Sequence, residues 1–370
     1  MKTKKRVALF GGSFDPVHTD HVNIALACHE KLNFEEVWMI PAYLNPFKKK
    51  EHSPIVDRLA MLRIIEKKHH FIRINQYEIQ NNRPTYTYET VAYLVENYHD
   101  FEFAFIMGSD QLDTFEKWNN FDKLINLVPF KVFLRSEKYN KDVVAKYNLE
   151  VFEFNNNFLS STDIRDLKHL DKQIPQINDY VNYNLLYLSE RMEKHMDHER
   201  FVHCLNVGQM AKKLAIKHGV DENKALVAGT LHDITKRWDK QKAEWYLKKY
   251  TPGLINEPLP VWHSFTGSLH LEKDWLIKDQ EILQAVFNHT VGSPDMTPLD
   301  MIVFCADKIS AERNYSEVEK LREICFEDLI KGFKLLVKNQ YDVAIERHGK
   351  NSIGSMLQHT YDYWVKGVRE

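Results

Sequence analysis

Apolar residues follow two different rhythms along the chain. As far as Tyr187, short apolar runs alternate with stretches whose apolar positions recur every three or four residues. The runs Val7–Phe10, Glu36–Pro41, Phe71–Ile74, Phe101–Met107, Lys131–Leu134 and Val151–Phe154 read as strands. Val22–Ala27, Ile55–Lys67, Tyr88–Tyr98 and Asp179–Tyr187 read as helices between and after them. Such alternation predicts an α/β doubly wound parallel sheet of Rossmann type, with ligands at the carboxyl ends of the strands. From Glu199 the period is helical nearly throughout, over Phe201–Lys217, Glu222–Lys236, Lys240–Lys249, Glu281–Asn288, Pro298–Ala311 and Phe326–Lys338. An all-α domain is expected there. The division is placed at 1–188 and 189–370, although no Gly, Ser or Pro-rich linker marks it.

A chain of 370 residues has room for two such domains. Its 50 basic and 52 acidic residues give a net charge of -2, which argues against a general nucleic-acid or membrane-surface binder. Cys28, Cys204, Cys305 and Cys325 form no Cys-x-x-Cys pair, so neither a disulfide framework nor a zinc-thiolate site is indicated, and a reducing cytoplasm is the expected setting. The basic start Lys2–Arg6 is followed by only four apolar residues, too few for a secretion signal, and no run is long enough to span a membrane.

The first strand runs into Gly11-Gly12-Ser13-Phe14-Asp15-Pro16-Val17-His18-Thr19-Asp20-His21 and then a helix. Glycines let backbone N–H groups approach an anion, and a helix start offers unpaired N–H groups. His18 and His21, three apart, share a face and can reach one phosphate. Gly108-Ser109-Asp110-Gln111 follows another strand, with Phe115 and Trp118 three apart beyond it. Leu159-Ser160-Ser161-Thr162-Asp163-Ile164-Arg165 has the hydroxyls of an N-cap, but an arginine in a first turn opposes the helix dipole unless it faces an anion. Thr85 and Thr87 precede a helix that Thr87 is placed to cap, and Lys48 belongs to a lysine run after the second strand.

These strings, in this order, resemble the nicotinate-nucleotide adenylyltransferases of the HIGH-type nucleotidyltransferase superfamily over residues 6 to about 188. Asp20 stands where that family usually has glycine, and a carboxylate there should repel phosphate unless a cation intervenes. Phe47 stands where histidine is commoner. The resemblance implies transfer of the adenylyl group from Mg2+-bound ATP to nicotinate mononucleotide, giving deamido-NAD and pyrophosphate. It implies ATP binding by Gly11, Gly12, Ser13, Phe14, His18, His21, Gly108, Asp110, Ser160, Ser161, Thr162, Ile164 and Arg165. Lys48, Thr85, Thr87 and Trp118 would line the mononucleotide pocket, with His18, His21, Lys48 and Arg165 stabilising charge in the reaction. Nicotinate and nicotinamide mononucleotide remain open as alternatives, as does the oligomeric state.

The helical half carries His203, His232-Asp233 and Asp307, with His263 and His289 between the last two. Mixed histidine and carboxylate donors suit iron, manganese or other divalent ions better than a structural zinc site. Among 18 histidines a bare His-Asp pair says little. The wider strings Arg200-Phe201-Val202-His203, Leu231-His232-Asp233-Ile234, His289-Thr290-Val291-Gly292 and Ala306-Asp307-Lys308-Ile309 resemble the HD phosphohydrolases that act as symmetrical diadenosine tetraphosphatases. That resemblance implies a two-metal centre held by His203, His232, Asp233, His263, His289 and Asp307. Asp233 would be the shared, catalytic ligand, and Lys236 and Arg313 would contact phosphate. The substrate would be diadenosine tetraphosphate, cut to two ADP; a nucleotidase, or a module that senses a nucleotide without cutting it, are the alternatives.

Overall fold

A computed structural model of the chain describes residues 4–44, 53–136, 138–349 and 353–368. It divides into two compact units, Met1–Tyr180 and Val181–Glu370. The first begins with β1 (Lys5–Gly12), α1 (Thr19–Glu30), β2 (Glu36–Pro41), α2 (Ile55–Lys68), β3 (Ile72–Ile74), α3 (Tyr77–Gln80) and α4 (Thr87–Asn97). It continues with β4 (Phe101–Gly108), a 3-10 segment (Ser109–Lys117), α5 (Phe121–Leu124), β5 (Phe130–Phe133), α6 (Lys141–Lys146), β6 (Glu150–Phe152) and α7 (Ser161–Arg165). The division falls within α8 (Pro175–Tyr183).

The six strands form one sheet in the order β3-β2-β1-β4-β5-β6, and every neighbouring pair is parallel. This is the Rossmann-like doubly wound sheet expected from the alternation. β1 lies between β2 and β4, and Val7, Ala8 and Leu9 are wholly buried, as a central strand covered on both faces requires. Strand order reverses at β1 and β4, so their carboxyl ends border the crevice where such sheets bind ligands. Phe10 pairs with Ile106 and Gly11 with Ile40, which sets three strand ends at one level. Beneath them Leu9 packs with Trp38, Phe103, Phe105, Phe115 and Phe130 in a core rich in aromatic rings.

Several boundaries differ from expectation. β6 stops at Phe152 because its partner β5 ends at Phe133 and the ladder ends with it. α8 starts at Pro175, whose fixed φ suits a first helical position, and is over by Tyr183. The division at Tyr180/Val181 also precedes the expected 188/189. Asn182 Nδ2 donates to Trp275 O at 2.9 Å and Arg191 Nη1 donates to Asn182 Oδ1 at 2.8 Å, so hydrogen bonds carry this segment into the second unit.

Past the division lie α9 (Leu188–Arg191), α10 (His198–His218), α11 (Glu222–Leu231), α12 (Lys240–Tyr250), α13 (Trp262–Lys273), α14 (Gln280–Asn288), α15 (Pro298–Ile309), α16 (Val318–Glu327), α17 (Leu329–His348) and α18 (Ser355–Tyr361). No strand occurs among its described residues. α10 and α11 cross closely because a Cβ at Gly229 would stand 2.9 Å from Ala211 Cβ and 3.0 Å from Gly208 Cα. The expected helix Phe326–Lys338 is two helices, broken at Asp328, whose carboxylate accepts from Lys331 N at 3.0 Å and caps the second. α13 escaped notice because it is buried nearly all round and shows no polar stripe. No helix among the described residues is long and apolar enough to cross a membrane.

Candidate functional site

A cavity of about 310 Å3 opens at the carboxyl ends of β1 and β4. Its wall brings together Gly11, Gly12, Ser13, Phe14, His18 and His21 with Thr85, Thr87, Gly108, Asp110, Trp118 and Ser161. A Cβ at 108 would lie 2.2 Å from Asp110 Oδ1 and 2.7 Å from Arg135 Cδ, so any larger residue would displace both side chains. The buried Trp118 Nε1 has no hydrogen-bond partner among the described residues, and the ring stands edge-on to Phe115 at 5.3 Å. Thr87 is not the cap of α4: Tyr86 holds the N-cap position and its N–H donates to Glu89 Oε1 at 3.3 Å.

The His18 and His21 rings touch at a tilt of 37° with centroids 3.7 Å apart, and His21 Nδ1 accepts from His18 N at 3.2 Å. Neither ring nitrogen of His18 has a partner among the described residues. Burial, aided by the Arg135 charge, holds His18 down at about 3. Burial lowers His21 well below the usual imidazole range, with His18 and Arg135 adding to it. Both rings are therefore neutral near pH 7, each with one N–H to offer an oxyanion.

Ser160, Thr162, Ile164 and Arg165 do not line this cavity. Ser160 Oγ accepts from Asp163 N at 3.1 Å as the N-cap of α7, and Ile164 is core. Arg165 donates to Asp15 O at 2.6 Å and to Thr162 Oγ1 at 3.0 Å, so its charge braces the glycine turn through a carbonyl. Lys48 lies outside the described residues. Asp20 is 1% exposed and turns inward: Oδ1 accepts from Asn157 N at 2.9 Å and Asn157 Nδ2 at 3.0 Å, and Oδ2 from Leu159 N at 2.8 Å. Asp20 thus borders the cavity with its oxygens occupied by neutral N–H donors rather than by the cation the sequence called for.

Sequence reasoning passed over Arg135 and Glu78, both on the cavity wall. Arg135 Nη2 donates to Leu159 O at 2.9 Å and Nη1 lies 3.3 Å from Asp110 Oδ2. Its position, two residues past the end of β5, is where the strand-end rule points. Glu78 accepts from Thr90 Oγ1 at 2.8 Å, and burial raises it to about 7.

In the second unit α11 ends at Leu231, five residues before its expected end at Lys236. The chain then tightens, with Ile234 N donating to Leu231 O at 3.1 Å and Lys236 N to Asp233 O at 2.9 Å. That turn aims His232 and Asp233 at one point. His203 from α10 and Asp307 from α15 meet there, with His203 Nε2 3.2 Å from Asp307 Oδ1, and His232 Nε2 3.5 Å from Asp233 Oδ2 and 3.7 Å from Asp307 Oδ1. Asp233 Oδ1 looks the other way, 3.1 Å from His263 Nε2 and 3.6 Å from His289 Nε2.

These atoms fit divalent cations. His203 Nε2 and His232 Nε2 are buried without a hydrogen-bond partner among the described residues. Two sets, His203-His232-Asp307 and His232-Asp233-His289, hold their ligand atoms within 4.8 Å of one another. Gly229 O lies 2.7 Å from His232 Nδ1 and Val286 O lies 2.6 Å from His289 Nδ1, which assigns the proton to Nδ1 and leaves Nε2 as the ligand. Burial lowers His232, but the carboxylates of Asp233 and Asp307 more than reverse it, to about 9, so the pocket favours positive charge. Burial holds His289 at about 3, hence neutral. Of the expected phosphate contacts, Lys236 Nζ lies 3.2 Å from His263 Nε2, and Arg313 Nη2 is engaged with Asp307 Oδ1 at 2.9 Å. Arg200, part of a matching string but given no role there, sits one helical turn before His203; its Nη1 donates to Asp233 Oδ2 at 2.7 Å.

Fold and sites together define a two-domain nucleotide enzyme class: a cytidylyltransferase-like model matches residues 9–167, and an HD-domain model matches residues 200–312. The chain is 31% identical over 349 residues to the "Probable nicotinate-nucleotide adenylyltransferase/Ap4A hydrolase" of Mycoplasma genitalium, covering 93% of this chain and 97% of that protein. It is 39% identical over 161 residues to a "Probable nicotinate-nucleotide adenylyltransferase" of Nitratiruptor sp., covering 43% of this chain and 87% of that one. A solved structure of a "predicted HD superfamily hydrolase involved in NAD metabolism" from Clostridium acetobutylicum is 25% identical at TM-score 0.45, covering 50% of this chain and 96% of the other. The chain belongs to the family of two-domain proteins represented by the Mycoplasma genitalium relative.

Proposed function

We propose that the chain is a bifunctional enzyme, with adenylyl transfer in Met1–Tyr180 and phosphoanhydride hydrolysis in Val181–Glu370. The first reaction joins nicotinate mononucleotide to ATP. A phosphate oxygen of the mononucleotide forms a bond to the α-phosphorus of ATP, the bond to the β-phosphate bridge breaks, and pyrophosphate leaves with Mg2+. His18 and His21 donate N–H groups to the phosphate oxygens as charge builds there, Arg135 supplies a fixed positive charge, and the Gly11-Gly12 turn lets the phosphates close on the backbone. Trp118, Thr85 and Thr87 hold the pyridine mononucleotide, with the indole face for stacking and Nε1 for a hydrogen bond. Arg165 acts at one remove, holding the glycine turn through the Asp15 carbonyl.

The second reaction cuts diadenosine tetraphosphate into two ADP. His203, His232 and Asp307 would hold one divalent ion, iron or manganese, and His263 and His289 a second, with Asp233 facing both. Ions held there would supply an activated water and polarise phosphoryl oxygens. Lys236 meets the tetraphosphate as it enters, while Arg200 holds Asp233. Both reactions belong in the cytoplasm.

The observation that carries this reading is the coincidence, in a chain aligned end to end with the Mycoplasma relative, of a histidine-paired phosphate cavity in one unit and a convergent ligand set in the other. The test is a substrate panel on the purified full chain. Pyrophosphate release with nicotinate mononucleotide exceeding that with nicotinamide mononucleotide, and ADP as the sole product from diadenosine tetraphosphate, are the expected outcomes. ATP and AMP from the tetraphosphate would refute the symmetrical cut.

A further inference from the structure

The metal-facing histidines of the second unit are backed by different kinds of acceptor. Those of His232 and His289 are backbone carbonyls, neutral and internal to their own turns. His203 Nδ1 instead meets a carboxylate, Glu312 Oε1 at 2.5 Å, and the same oxygen accepts from Ser310 Oγ at 2.7 Å. An anionic acceptor on Nδ1 fixes the ring and makes Nε2 a stronger donor than a carbonyl does.

The charges around the centre give Glu312 a distinct place. Asp233 is met by Arg200 Nη1 at 2.7 Å, and Asp307 by Arg313 Nη2 at 2.9 Å and Lys308 Nζ at 3.4 Å. Glu312 has no Lys or Arg within ion-pair distance among the described residues; its charge acts on His203. The two cation positions also differ in their own ligands. One is bounded by two carboxylate oxygens, Asp307 Oδ1 and Asp233 Oδ2, with His203 and His232. The other has a single carboxylate oxygen, Asp233 Oδ1, with His263 and His289, and the Lys236 ammonium stands beside it.

We infer that Glu312 is a positioning residue which, through His203, makes the cation position bounded by His203, His232 and Asp307 the tighter of the two, so that the centre loads its ions in two unequal steps. This rests on the reading of the second unit as a two-metal centre. Nothing in the local pattern of the chain marks Glu312: it stands on the turn after α15, far in sequence from the histidine it holds.

The test is a titration of the chelator-stripped full chain with Mn2+ alone, with free Mn2+ read by electron paramagnetic resonance and the fold checked by circular dichroism. Wild type should show a tight step and a weaker one. Glu312→Gln keeps an acceptor but loses the charge, and should weaken the tight step by about tenfold; Glu312→Ala, losing both, should approach about a hundredfold. The weaker step should stay in place in both, whereas His263→Ala should remove the weaker step and spare the tight one. Two equal steps in wild type, or a tight step in Glu312→Gln within twofold of wild type, would overturn the inference while leaving the two-metal reading standing. A wild-type protein that takes up no Mn2+ would overturn both.

Discussion

Asp20 offers the sharpest test of how the first site is held. Its two oxygens take three N–H donors from Asn157 and Leu159, in a position 1% exposed. Asp20→Asn preserves shape but can present only one oxygen. If that oxygen faces Asn157, the new NH2 group faces the Leu159 N–H, donor against donor. The charge-assisted bond from Leu159 is replaced by one buried, unsatisfied donor, a loss at the upper end of the roughly 1–3 kcal/mol range, so a local cost of about 3 kcal/mol follows. The segment it loosens runs straight into Ser160, the cap of α7. Native-state hydrogen exchange at the Leu159 amide reads this directly: about 3 kcal/mol corresponds to roughly a hundredfold loss of protection. KM for ATP should rise at the same time. If Asp20 instead acted by repelling phosphate, Asp20→Asn would bind ATP more tightly, and that outcome with unchanged Leu159 exchange would refute the reasoning.

Other expectations follow from the same geometry. His21→Ala should lower kcat for pyrophosphate release by roughly a hundredfold or more in a folded protein, since it removes a donor aimed at developing charge; near-normal kcat would exclude that role. Stability of the ligand-free first unit should fall as pH drops below 6.5, because the folded state holds His18 at about 3 while the unfolded chain takes up the proton. The stabilisation is complete above 6.5 and is lost between there and about 3, the loss for His18 reaching about 2 kcal/mol at pH 5; a urea midpoint independent of pH between 7 and 5 would contradict it. Asp233→Ala should lose bound metal and tetraphosphate hydrolysis together while adenylyl transfer continues, and unchanged metal content by elemental analysis would rule out Asp233 as the shared ligand.

Much of the fold was legible because the first half obeys one rule. Buried parallel strands read as apolar runs, and the carboxyl-end rule then placed Gly11, Gly12, Gly108 and the two histidines on one rim, where the cavity lies. Local pattern failed where burial was complete or capping was decisive. α13 has no polar stripe to reveal it, and Asp328 ends one helix and starts another with a single side chain. It failed again at the end of α11, where a helical period continues through residues that the fold bends into a tight turn.

Residue types and their spacing were enough to determine the class of each unit, the cavity-lining turn of Gly11 to His21, and the histidines and aspartates that converge in the second unit. Those signals are local, set by periodicity and by which side chains can do a given chemistry. Contacts across more than a hundred residues were decided only in three dimensions: Asp20 with Leu159, Arg165 with Asp15, His203 with Glu312. A carboxylate carries no mark in sequence of whether it faces a ligand or a buried amide. Packing alone brings its partner within hydrogen-bond reach, and that partner determines whether Asp20 repels phosphate or secures the loop beside it.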